Sequence, residues 1–260
     1  VHSAETVARA LELKRAGLNH CQISRELGVS RPTIRDWCSG KLPHSFEAKD
    51  TLYGRPTRPG RTCGLCGSNR HAFDRLSTAY VYLLGLYLGD GCISSGARGV
   101  FRLRIALDMK YPGIIEDCAT AMEAVVPWNK VHLQGTRKNY VEVHAYSKSW
   151  PCLFPQHGPG KKHKRKIELA GWQEELIDLI PGLLLRGLID SDGCRFINTG
   201  KNGWRCPRYV FTNLSEDIKQ IFCDACDRLD LHWTTAPPKS VYVSRKADVA
   251  RLDELVGPKR

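Results

Sequence analysis

The sequence predicts an α+β fold. Tandem αββαββα repeats form a pseudo-twofold saddle, preceded by a small all-α domain of helix-turn-helix type. Three observations lead there. From Ala79 onward, helical and strand-like hydrophobic periods run through one order twice, about 100 residues apart. The nonapeptides Leu83-Leu-Gly-Leu-Tyr-Leu-Gly-Asp-Gly91 and Leu185-Arg-Gly-Leu-Ile-Asp-Ser-Asp-Gly193 open the two copies, each followed by Cys. Ahead of them, Ile23 to Trp37 has the spacing of two short helices joined at a glycine.

The composition sets the frame. The chain has 260 residues, 42% hydrophobic and 25% charged, which suits a folded, globular protein rather than a disordered one. No apolar run reaches the roughly 18 residues of a membrane span, and no signal-peptide pattern opens the chain. A cytoplasmic, reducing compartment is therefore expected, and the eleven cysteines are read as buried thiols or zinc ligands rather than disulfides. Lys and Arg total 39 against 27 acids, a net charge of +12 that favours a polyanionic partner, most often nucleic acid.

Residues 1–43 read as helices. Ser3 caps a first helix through about Ala16, with Val7, Leu11 and Lys14 at helical spacing and Gly17 at its end. Ile23 and Leu27 lie one turn apart, Gly28 turns the chain and Val29 plugs the corner. Ser30 caps the next helix, which turns Ile34 and Trp37 inward and Arg31, Thr33 and Arg35 outward, as a major-groove reader requires. Residues 44–78 form a basic linker rich in Pro, Gly and Arg. Within it Cys63 and Cys66 have zinc-knuckle spacing, but only His71 is near, so structural zinc and plain loop thiols both stand. Cys223 and Cys226 sit in a helical pattern and read as core.

The first repeat, 79–157, gives a helix at 79–89, alternating stretches within 92–108, a helix at 112–125 and strands near 130–135 and 139–146. The second, 182–260, gives a helix at 182–191, strands at 194–199 and 206–213, a helix at 215–229, strands near 231–235 and 240–245, and a last helix at 247–255. A basic inter-repeat linker spans 158–181, with five basic residues between Lys161 and Lys166. The segment Trp150–His157 admits two readings: burial of Trp150 and Phe154, or Cys152, His157 and His163 completing a zinc site with Cys63 and Cys66.

The opening helices carry the chemistry. Gly85 and Gly89 share one helix face, as do Gly187 and Ser191. Glycine inside a helix costs about 1 kcal/mol relative to alanine, and close backbone approach is the compensation, so the two helices are expected to pack together. Each ends in an aspartate where the helix dipole disfavours one. Parallel packing brings Asp90 and Asp192 together, with a repulsion of about 4 kcal/mol at ~4 Å and an effective dielectric near 20. A divalent cation relieves it, and hard oxygen ligands suit Mg²⁺.

These two motifs resemble those of the LAGLIDADG homing endonucleases over roughly residues 79–257, in the single-chain form where one polypeptide makes an internal pseudo-dimer. The resemblance implies a monomeric, metal-dependent, site-specific DNA endonuclease with a long asymmetric duplex target, in a bacterial or phage-encoded setting. It implies Asp90 and Asp192 as metal-binding catalytic acids. The first motif departs from the pattern at Leu88, where an earlier acid is common; the second keeps Asp190 there.

Lys148 and Lys246, each just after a strand, are candidate basic catalytic groups. Arg102 and Arg104 on one face of a strand, His144 on its neighbour, and Arg195 and Arg208 opening the matching strands are candidate DNA contacts. The alternative is a non-cleaving DNA-binding regulator, since certain sporulation regulators resemble this combination without the catalytic acids. An intein fares poorly, with no splicing Cys or Ser at the start and no terminal His-Asn.

Overall fold

Residues 4–38, 78–135, 139–200, 203–257 and 259 are described by a computed structural model. Ser3, Cys63, Cys66, His71 and the 44–77 stretch of the linker lie outside the described residues.

Three short helices make the N-terminal unit: α1 (Ala4–Arg15), α2 (His20–Leu27) and α3 (Arg31–Cys38). Asn19 caps α2 by accepting from the backbone of Cys21 and Gln22, while Gln22 reaches back to the Asn19 amide. Gly28 takes the left-handed conformation (φ 63°) that the turn into α3 demands. Val7, Ala10, Leu13, Ile23, Val29, Ile34 and Trp37 close a core of their own. Arg31 and Arg35 are exposed, and the Thr33 hydroxyl is engaged by the Ser30 cap at 2.6 Å.

The larger unit repeats one topology. Helix α4 (Thr78–Asp90) leads directly into β1 (Gly91–Ser95) and β2 (Phe101–Asp108), then α5 (Pro112–Val125), β3 (Val131–Gly135) and β4 (Tyr140–Ser147). Two helices follow, α6 (Trp150–Leu153) and α7 (Gly171–Leu179). The second copy is α8 (Pro181–Asp192), β5 (Gly193–Thr199), β6 (Arg205–Thr212), α9 (Glu216–Asp227), β7 (Trp233–Ala236), β8 (Ser240–Val243) and α10 (Lys246–Val256). The two antiparallel sheets have the same order, β1-β2-β4-β3 and β5-β6-β8-β7. One continuous core joins the halves.

Helix α4 is apolar on nearly every side because it is buried all round, from Tyr80 to Leu88. It packs against α8 in parallel: a Cβ on Gly85 would lie 2.8 Å from Gly187 Cα, and one on Gly89 would strike Ser191. Gly91 and Gly193 follow the two helix ends directly. Gly193 is extended (φ −103°), not left-handed. A Cβ at Gly91 would lie 2.5 Å from Tyr87 Cα, and at Gly193 2.6 Å from Ile189 Cα, because the chain leaves each helix straight into a strand.

The stretch after β4 belongs to the core. Trp150 and Phe154 are fully buried; Trp150 donates to the Ala145 carbonyl at 3.0 Å, and Phe154 packs on the rings of Tyr80, Tyr87 and Trp150. Helix α7 lies within 158–181, the stretch that its basic residues mark as a linker. Its Gln173, fully buried, donates to the Tyr80 hydroxyl at 2.6 Å and ties this connection to α4.

Candidate active site at two paired helix ends

The parallel packing of α4 and α8 carries both terminal aspartates to one end of the helix pair. Asp192 Oδ2 comes within 3.1 Å of where a Cβ on Gly89 would stand, one residue from Asp90. Asp90 is exposed on its outer side, and its inner side faces the crowded helix ends. That burial, and then the Asp192 charge, push its carboxyl up to about 6, against the pull of Lys162 and Lys259. Asp192 is also raised by burial, but Asn213 donates to its Oδ2 at 2.7 Å and holds it back. The half-sites are therefore unequal. Pairing of Gly91 with Ile105 and of Gly193 with Phe211 makes Leu107 the register counterpart of Asn213. Among the described residues, no donor reaches the Asp90 carboxylate.

Two lysines complete the site. Lys162 donates to the α4 carbonyls of Tyr87, Leu88 (2.9 Å) and Gly89 (2.9 Å). Lys259 donates to those of Asp190 (3.1 Å) and Gly193 (2.7 Å) at the end of α8. Each thus satisfies carbonyls that a helix C-terminus leaves open. Burial lowers Lys162 to about 8, against the attraction of both aspartates, and lowers Lys259 for the same reason.

Lys148 and Lys246 do not stand here. The level of Gly91 crosses β4 at Val143, so Ser147 is already about 13 Å farther along the sheet, and Lys148 follows it. The level of Gly193 crosses β8 at Val241, and Lys246, exposed, opens α10 five residues beyond it. Asp190, the extra acid of the second motif, turns into the helix interface instead. It accepts from the Tyr82 hydroxyl at 2.9 Å and faces Arg186 at 3.6 Å, which also pairs with Asp117.

The strands sort the candidate DNA contacts by parity. Leu103, Ile105 and Leu107 face the core, which leaves Arg102 and Arg104 outward, both on Glu142 at 2.9 and 3.5 Å. His144 lies on that face too, stacked on His132, its basicity lowered by burial and by Arg102. Arg208 also faces outward. Arg195 does not: it pairs across the sheet with the buried Tyr209, so it points to the helix side and makes a two-pronged contact with Asp253 at 2.6 and 2.8 Å.

The acids offer hard oxygens suited to a divalent cation: both Asp90 oxygens are without donors among the described residues, and one Asp192 oxygen is held by Asn213. Among the described residues no cluster of three or more His, Cys, Asp or Glu could itself enclose a metal. Two carboxylates with substrate phosphate and water suffice for Mg²⁺. No helix among the described residues is long and apolar enough to cross a membrane.

A family model described as a homeodomain-like domain matches residues 2–40. No curated protein matches the chain. Among solved structures, the chain is similar to I-DmoI in complex with DNA and Mn, with 15% identity, a TM-score of 0.49, and 70% of this chain and 98% of that one covered. It is similar to the LAGLIDADG meganuclease I-AabMI bound to uncleaved DNA, with 13% identity, a TM-score of 0.43, and 68% and 82% covered. It is also similar to full-length DUF199/WhiA from Thermatoga maritima, with 14% identity, a TM-score of 0.45, and 70% and 56% covered.

Proposed function

We propose that the chain is a sequence-specific, divalent-metal-dependent DNA endonuclease acting as a monomer on a long asymmetric duplex site. The observation that carries this reading is the meeting of two raised carboxylates, Asp90 and Asp192, at parallel helix ends beside two ammonium groups. Nothing in packing rewards that arrangement, whereas phosphodiester hydrolysis uses it. Asp90 and Asp192 would hold the cation, which supplies Lewis-acid stabilisation of charge developing on a phosphate. Asn213 fixes the orientation of the Asp192 carboxylate. Lys162 and Lys259 keep positive charge beside the reacting phosphates, and Lys162, lowered to about 8, stays largely protonated at neutral pH. The test is incubation of the purified chain with Mg²⁺ and a library of duplexes, followed by sequencing of the ends. Paired cuts at one sequence are expected.

One observation favours a second reading, a non-cleaving regulator: Lys162 and Lys259 already offset the acids from within the chain. Tight duplex binding without new ends in the same experiment decides for it.

Arg31 and Arg35 on α3 make the N-terminal unit a tethered second reader. Removing residues 1–50 is expected to shorten the protected footprint at one end only; an unchanged footprint removes this unit from the target site. Within the larger unit, Arg195→Ala is expected to leave DNA affinity within about twofold, because its guanidinium is already neutralised by Asp253. Arg208→Ala is expected to weaken binding roughly fivefold or more if it contacts a base. Equal losses in a binding titration would contradict the parity argument.

A further inference from the structure

We infer that the basic segment 158–166 is a preformed phosphate-binding strap, whose partner is the backbone of duplex DNA entering the acid pair. The inference deepens the reading above, on which its DNA partner rests.

The strap is fixed at both ends and in the middle. Arg165 donates to the Gln156 carbonyl, and Gln156 in turn donates to the Glu168 carbonyl at 2.8 Å. Beyond it, Ile167 is buried, and its amide donates to Asp217 at 2.7 Å. Between these anchors Lys162 plugs the carbonyl end of α4, within electrostatic reach of Asp90 and Asp192. A short 3₁₀ turn, Lys162–Lys164, starts there. It leaves Lys161, His163 and Lys164 exposed, each within two residues of the plugged lysine.

Several cations elsewhere in the larger unit already have carboxylate partners. Arg102 and Arg104 share Glu142, Arg195 is held by Asp253, and Lys166 faces Glu168 at 3.7 Å and Asp217 at 3.3 Å. Among the described residues, Lys161 and Lys164 face no carboxylate within ion-pair distance. Two uncompensated cations on an anchored turn bind an anion with little ordering left to lose, and the nearest anion that the acid pair implies is a phosphate. The second repeat has no such segment among the described residues; at its helix end the cation is the single Lys259.

The test measures affinity of the full chain for a mixed-sequence duplex across a sodium chloride series in EDTA, where hydrolysis plays no part. Each lost phosphate contact lowers the salt slope by about 0.9. Lys161→Ala with Lys164→Ala is expected to lower it by about 1.8 without shifting the thermal midpoint. Lys166→Ala, which removes one charge that is already paired, is expected to lower it by less than about half a unit. An unchanged slope in the double variant overturns the inference, as does a full-sized fall in Lys166→Ala. A wild-type chain that binds no duplex overturns both this inference and the nuclease reading. Binding with an intact strap signature but no cleavage in Mg²⁺ overturns the nuclease reading alone.

Discussion

Asp90→Asn or Asp192→Asn is expected to reduce double-strand cleavage by about a thousandfold or more, with DNA affinity kept within several-fold. The magnitude follows from the several kcal/mol of transition-state charge that a bound cation stabilises, at about 1.4 kcal/mol per decade of rate. The amide keeps the shape of the helix end and removes the anionic oxygen. A second readout needs no cleavage. Burial holds the folded-state pKa of Asp90 at about 6, above its ordinary 3.8. The protonated form is thus favoured by folding, and that contribution is complete below about pH 4 and lost as pH rises through about 6. A divalent cation offsets the loss only where the acids are ionised. Mg²⁺ is therefore expected to raise the thermal midpoint at pH 7.5, to raise it much less at pH 5, and to do neither in the double Asn variant. Wild-type-like cutting by either single variant would remove these acids from the reaction.

The features that could be read from the sequence alone are those whose causes are local. The α2–α3 turn is set by Ile23, Gly28, Val29, Ile34 and Trp37 within one short stretch, and the paired helices by small residues four apart. Asn19 and Gln22 form an equally local capping signal. The face that Arg195 takes follows only from its pairing opposite Tyr209, whose ring is buried, and that register is not local to β5. Lys162, Lys259 and Asn213 come from distant segments, and no periodicity marks a lysine that will reach a helix end in another part of the fold. Lys148 and Lys246 looked equivalent through their place after a strand, but the sheet register, which the sequence left open, decides how far each lies from the acids. Helix α7 was hidden inside a segment whose basic residues drew attention to charge rather than to the period of Trp172, Leu176 and Ile177.

Gly187→Ala is expected to be the most damaging single-methyl change in the larger unit. The added carbon would lie 2.9 Å from Gly85 Cα, and closer still to the Tyr82 carbonyl oxygen. Both are backbone atoms of buried α4 and cannot rotate away. The helices would have to separate, disturbing the core that joins the repeats. Overpacking typically costs about 1–3 kcal/mol, and contact with main chain places this case at the upper end. For a domain of this size, that amounts to a fall of roughly 6–12 °C in the thermal midpoint. Gly89→Ala meets an obstacle of another kind, because its nearest neighbours are the Oγ and Cβ of Ser191. Adding Ser191→Gly removes both atoms, so the double variant is expected to recover part of the loss, whereas the same second change leaves Gly187→Ala unrelieved. The cycle thus reads the helix pairing residue by residue, Gly85 on Gly187 and Gly89 on Ser191. That pairing brings Asp90 and Asp192 to one end. A Gly187→Ala chain with an unaltered midpoint would mean that the helices do not approach this closely, and the convergence of the two acids would lose its structural basis.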